Sequence, residues 1–367
     1  GSIDKPQRFG SDPLVDLWPG NSSLTLHHWN TAVRVGTESL ILGPGRRNNI
    51  LLSNNAPGIP HLEIGTYTPW KTGLGELDWQ LFWGRLSESE YFDQNASNDY
   101  RLLVGGVIGY RPSFMPGWQL SLHRTIQSPW ASVDGYDVFQ MFETLWKENR
   151  RRDDGTESGD DDTDQLISIG LQYTPPGVPF RVYLEWARND HAADVKDFLA
   201  NPEHSRAYVT GFEYSHALNR SFFLHFNGEL AVINPSPTNP VRLTGPWYRH
   251  SGVGGHGYTH HGQYLGAWIG TGANSQYGEI GFSHNDTGLS VAAFLERVVF
   301  DNDYFYSLSD RTYYDFNYRL HGGLRVVYPF RDFVLRSELQ GGYHSSAYWL
   351  DEGRRPNVRL AFSLEYD

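Results

Sequence analysis

Apolar and polar residues alternate with a period of two along most of this chain. In Phe222–Val232 the apolar set is Phe222, Leu224, Phe226, Leu230 and Val232, against His225, Asn227 and Glu229. Phe316, Tyr318, Leu320, Leu324, Val326 and Tyr328 oppose Asn317, Arg319, His321 and Arg325. The same split recurs at Leu77/Trp79/Leu81/Trp83 against Glu76/Asp78/Gln80, and at Phe180/Val182/Leu184/Trp186 against Arg181/Tyr183/Glu185. A period of two is the signature of strands with two unlike faces. The pattern predicts fourteen strands, near 27–41, 60–68, 74–85, 100–112, 118–125, 164–174, 179–189, 204–215, 219–234, 274–284, 287–299, 314–327, 332–344 and 356–366.

Alternation alone also fits a soluble sandwich with its apolar faces turned inward. The connections separate the two. Short links (67–73, 111–117, 174–179, 216–220, 284–288, 329–332) alternate with long ones (86–99, 126–163, 190–203, 235–273, 301–313, 345–355). Outer-membrane barrels have tight turns at one pole and long loops at the other. Aromatics crowd the short-turn ends (Trp70, Phe114, Phe180, Tyr328, Phe330, Tyr366), as an interfacial girdle requires. The expected fold is therefore all-β: one transmembrane antiparallel barrel domain over 1–367, embedded in outer-membrane lipid with its long loops outside. Fourteen being even, both ends of the wall are expected at the short-turn pole. Segments 134–146 and 194–201 read as small helical inserts in long loops.

Composition narrows the partners. Mean hydropathy is -0.51, and no apolar run reaches the length of a membrane helix, which leaves a barrel open. Aromatics make up 15% of the chain, and the absence of cysteine removes disulfides and thiolate metal sites. A net charge of -12 argues against a nucleic-acid partner. Much of that charge lies in 153–164, which reads as a solvated loop. The chain opens on Gly-Ser without a leader, which says nothing about secretion.

One stretch breaks the alternation. "ILGPGRRNNILLSNNAPGIP" (41–60) carries two arginines, four asparagines and the apolar run Ile50–Leu52. Exposed, that run is a liability. Folded inward over 42–59, it buries its apolar residues and directs its polar ones at interior carboxylates such as Glu63, Glu76 and Asp78. The wider segment "VRVGTESLILGPGRRNNILLSNNAPGIPHLEIGT" (33–66), with "GELDWQLFWGRL" (75–86), resembles the Wzi family of capsule-assembly proteins. "GYTHHGQYLGAWIGTGANSQ" (257–276) resembles the same family. The resemblance implies an outer-membrane barrel acting as a lectin that attaches or organises capsular polysaccharide, without catalysis. It also implies up to eighteen strands, against the fourteen counted.

Candidate binding residues fall into two groups. Gly43, Pro44, Gly45, Arg46, Arg47, Asn48, Asn49, Asn54 and Asn55 form the inward plug and family motif, and its two arginines and four asparagines could hold an acidic glycan, since Arg forks match carboxylates and amides match hydroxyls. Anchoring of the inward loop is the reading favoured for them. Trp247, Tyr248, His250, Tyr258 and His260 in one long loop, with Tyr304, Tyr306 and Trp349 in two others, offer aromatic faces for pyranose rings. No metal or cofactor is expected: the histidine tract lacks ligand spacing, and the acidic run fails as a calcium loop because its twelfth position is Gln165. No GxSxG or HExxH motif supports catalysis. A general porin, a barrel subunit of a larger envelope assembly with other envelope proteins, and a barrel enzyme remain as alternatives.

Overall fold

The structure, a computed structural model, describes residues 4, 19–93, 95–133, 135–139, 163–189, 199–236, 245–249, 255–306, 316–347 and 354–366. The wall begins with β1 (Ser23–His28), β2 (Thr31–Gly36), β3 (His61–Thr66), the short β4 (Trp70–Thr72), β5 (Gly75–Ser87) and β6 (Tyr100–Pro112). It continues through β7 (Trp118–Pro129), β8 (Asp164–Tyr173), β9 (Phe180–Asn189), β10 (Arg206–Ala217) and β11 (Phe222–Val232). Within the next long loop lies a small hairpin of β12 (Thr259–His260) and β13 (Gln263–Tyr264). The wall is completed by β14 (Asn274–His284), β15 (Leu289–Val299), β16 (Tyr318–Phe330), β17 (Phe333–Ser345) and β18 (Arg354–Tyr366). All wall strands belong to one 16-stranded antiparallel sheet in sequence order, with β4 extending the pairing of β3 on β5.

Each of the fourteen expected strands is present, and β1, β4, β12 and β13 are additional. The first expectation, one strand over 27–41, is corrected. The chain turns back at Trp29, whose φ of 51° is left-handed, and β1 pairs with β2 from Ser23↔Gly36 to His28↔Thr31. Alternation survives the turn because paired residues share a face, so periodicity alone could not reveal it. The added strand also corrects the parity: β1 starts at the long-loop pole, opposite the pole where β18 finishes. Of the two helical inserts, α1 (Gly135–Phe139) lies in the first; 134 and 140–146 of that insert and 194–198 of the second lie outside the described residues. No described helix is long and apolar enough to cross a membrane.

The faces of the wall are distributed inside out. On β9, Arg181, Tyr183, Glu185 and Ala187 point inward, and Glu185 is completely buried. Between them Val182 and Leu184 are about 40% exposed on the outer face. On β15, Leu295 is 59% exposed while its neighbour Glu296 is completely buried. A soluble sandwich shows the reverse.

The sheet must also curl. Arg46 and Arg47 reach carboxylates on β10, β11, β14 and β15, while Ile50 bonds one on β9 and Ile59 packs at Gly84 of β5. Adjacent strands lie about 4.8 Å apart, so β9 to β15 spans roughly 20 Å if flat. One short loop touches all of them because the wall bends around it. The main apolar cluster therefore sits inside the wall, joining Leu40, Ile50–Leu52 and Ile59 to Phe82, Leu103, Ala187, Val209, Ala231 and Val298.

Candidate functional site

Two inward loops meet inside the wall. The first runs between β2 and β3, and its anchor is Glu229 of β11. The backbone N–H groups of Arg46, Arg47 and Asn48 donate to this carboxylate at 2.8, 3.0 and 2.9 Å. Asn48 Nδ2 donates at 2.9 Å and the Tyr183 hydroxyl at 2.7 Å. A carboxylate filled by successive N–H groups is a strong, charge-assisted arrangement in a site of low dielectric. The Ile50 N–H donates to Glu185 at 3.0 Å.

The arginines complete the lattice. Arg47 pairs with buried Glu296 at 2.8 Å and lies over the Tyr277 ring, with its carbon 4.1 Å from the ring centre. Arg46 pairs with Glu213 at 3.1 Å and approaches Glu279 at 3.8 Å. Gly43 (φ 129°) is needed where it stands, because a β-carbon there would lie 2.6 Å from Asn49 Oδ1 and 2.8 Å from Glu185 Oε2. On the short-turn side of Gly43 and Pro44 a cavity of about 190 Å³ is lined by Asp78, Gln119, Ser121, His123 and Arg181.

The second loop, between β11 and β14, lies on the first. The Tyr248 hydroxyl donates to Ile50 O at 2.6 Å and accepts from the Ala267 N–H. Ser53 bonds through N–H to Leu265 O and through its hydroxyl to Gly266 O, and Asn55 Nδ2 donates to Tyr264 O. Gly266 permits this contact, since a β-carbon would fall 2.1 Å from Ile50 O. Tyr248 is stacked on Tyr258 and tilted against Tyr264. Burial pushes the Tyr248 and Tyr258 hydroxyls far above their ordinary values and the His260 imidazole down to about 2. His260 is thus neutral and accepts from the Ser87 N–H.

At the long-loop rim, α2 (Asn302–Tyr306) is clamped onto this second loop. Thr271 donates its hydroxyl to Asp303, and the Asn302 N–H donates to Gly272 O. Phe305 is buried against Phe316, which leaves Tyr304 and Tyr306 exposed on the helix.

A model of the family described as capsule assembly protein Wzi matches residues 20–293, well over half of the sequence. The chain belongs to this family. Among solved structures, Wzi of Escherichia coli is similar with a TM-score of 0.70 at 13% identity, over 94% of this chain and 69% of that one. That protein is described as an outer-membrane, carbohydrate-binding β-barrel involved in group 1 capsule assembly. No curated protein matches the chain.

The two stretches that resemble the Wzi family, 33–66 and 257–276, supply the inward loops and pack on each other. Arg46, Arg47, Asn48 and Asn55 contact the wall or the second loop, Asn49 is buried beside Gly43, and Asn54 is exposed. Their carboxylate partners differ from those expected: Glu63 pairs with Arg34 and Glu76 with Arg111, while the loop is held from β9–β15. The missed anchors, Glu185 and Glu229, stand on the polar faces of strands the alternation had already identified. Among the aromatic candidates, Trp247, Tyr248, Tyr258 and His260 are buried and present no face to a sugar from solution. The reason is that their loop folds inward to cover Ile50–Leu52. Tyr304 and Tyr306 are exposed; His250 and Trp349 lie outside the described residues.

Proposed function

We propose that this protein is an integral outer-membrane barrel whose long-loop pole binds surface polysaccharide and helps attach or organise it during capsule assembly, without catalysing a reaction. The observation that carries this reading is the interior: two loops interlock through buried carboxylates, arginines and aromatic rings where a passive channel needs water. Such a molecule presents a pole rather than a passage. Family membership and the carbohydrate-binding barrel that shares the fold support the same direction.

At that pole Tyr304 and Tyr306 are exposed rings among the aromatic candidates, fixed in place by Asp303 and Phe305. Rings held this way stack on sugar C–H faces with little ordering cost. Purified capsular polysaccharide should bind the detergent-solubilised protein, and the double substitution Y304A/Y306A should weaken it about tenfold, taking roughly 0.7 kcal/mol for each ring. Equal retention of polysaccharide by the variant would remove these residues from the site. Absence of binding by the unsubstituted protein to any acidic or neutral capsular polymer would remove the lectin reading.

A further inference from the structure

The register assigns every wall residue to the inner or the outer face, and the outer face has an uneven charge. Among the described outward-facing strand residues there is no Asp, Glu or Lys. The only fixed charges are six arginines: Arg85, Arg124, Arg188, Arg206, Arg297 and Arg354. None of them lies in the half of its strand nearest the short turns. The inward face, by contrast, mixes both signs throughout.

Three of the six are exposed: Arg85 near the end of β5, Arg297 near the end of β15, and Arg354 at the start of β18. Among the described residues none of the three has a carboxylate within ion-pair distance. Each is nevertheless held against the wall by a neighbouring strand. Arg85 lies over the Tyr100 ring at 4.7 Å and Arg354 over the Tyr343 ring at 5.3 Å. Arg297 donates to Asn274 at 3.0 Å and to Gln276 at 2.6 Å. Tyrosine faces and amide oxygens orient a guanidinium without neutralising it, so each keeps its charge and spare N–H donors for an outside anion. Immediately beyond lies the apolar outer band, including Leu295, Leu324 and Leu339. An anion that meets these arginines while covering that band must itself carry hydrocarbon.

We propose that the arginines form a belt that binds the phosphate-bearing headgroups of glycolipid in the leaflet at the long-loop pole. Phosphate is the matching chemistry: its oxygens accept two parallel N–H bonds from one fork, and the lack of carboxylates among the described outward-facing strand residues suits a surface dense in negative charge. The inference rests on the proposed membrane-barrel reading. It adds that the two leaflets are distinguished by the wall itself, as well as by the loops above it.

The test combines two readouts. Flotation with phosphatidylcholine vesicles reports insertion; native mass spectrometry from detergent micelles containing bis-phosphorylated lipid A reports retained glycolipid. The unsubstituted protein should float and retain lipid A. The triple variant R85Q/R297Q/R354Q should float equally but retain at least fivefold less. Arg359→Gln, which removes the same charge from the inward face, should behave as the unsubstituted protein. Fully dephosphorylated lipid A should be retained no better by the unsubstituted protein than by the triple variant, and inorganic phosphate at matched concentration should not displace lipid A. If the triple variant floats and retains lipid A undiminished, or if dephosphorylated lipid A binds as well as the phosphorylated form, the belt is overturned while the barrel stands. Failure of the unsubstituted protein to enter vesicles removes the membrane reading, and the belt falls with it.

Discussion

Glu229 shows how much of this structure turns on single buried groups. Five donors converge on its carboxylate, four of them from Arg46–Asn48. Glu229→Ala should lower the unfolding free energy by about 3–5 kcal/mol, the scale for stranding several buried donors at once, as read from denaturant melts. Glu229→Gln should be milder, because one oxygen still accepts; equal stability of the alanine variant and the parent would contradict the anchor. Outside the wall, Glu88 bonds His256 at 2.8 Å. Burial, then the nearby Asp93, Asp99 and Asp4, push its carboxyl up to about 7. The folded state thus holds a proton that the unfolded state releases near 4.5, so stability falls as pH rises from about 4.5 to about 7 and then levels. Glu88→Gln should flatten that slope in thermal midpoints measured across the interval. Single-residue chemistry was the least legible level of the sequence. The arginines and asparagines of 41–60 were conspicuous, but alternation gives a face without saying which distant carboxylate a loop will meet. Tyr248 and Tyr258 misled for a related reason: a ring in a polar loop reads as exposed until the loop is seen to fold inward.

Among elements, strands were the most legible, since a two-residue period needs no tertiary information. What the period could not give was a tight turn that preserves it, as at Trp29, or the two-residue strands β12 and β13, too short to show any period. The inward loops were legible by exception: 41–60 broke the pattern and was too apolar to lie in water. Their interlocking predicts an electrical consequence. In planar bilayers the intact protein should show no steady porin-sized conductance, whereas replacing 44–56 by a short Gly-Ser linker should open one. The second loop loses its seat at Ile50 and Ser53 in that variant, so both halves of the obstruction go together. An open ohmic channel in the intact protein would instead favour a porin.

At the scale of the whole molecule, a largely apolar outer face surrounds an interior where ion pairs and an apolar cluster are packed together, and the proposed function lies at the pole where α2 presents Tyr304 and Tyr306. The fold class and the family were readable from alternation, connection lengths and the two motif stretches. Which aromatic rings are exposed was readable only in part, because that depends on which loops turn in and which stay out. The same inward loop also constrains the order in which the molecule can assemble. Arg47 and its partner Glu296 are 249 residues apart, and Asn48 and Glu229 are 181 apart. Closing such separations is slow, and the contacts cannot form before their strands exist. While the first strands pair, Ile50–Leu52 therefore have no seat, and the segment must wait, shielded by some other agent or by transient contacts, until β9 through β15 have arrived. Locking of the interior is thus a late event, and a chain halted before β11 would present its most sticky segment without the carboxylate that fastens it.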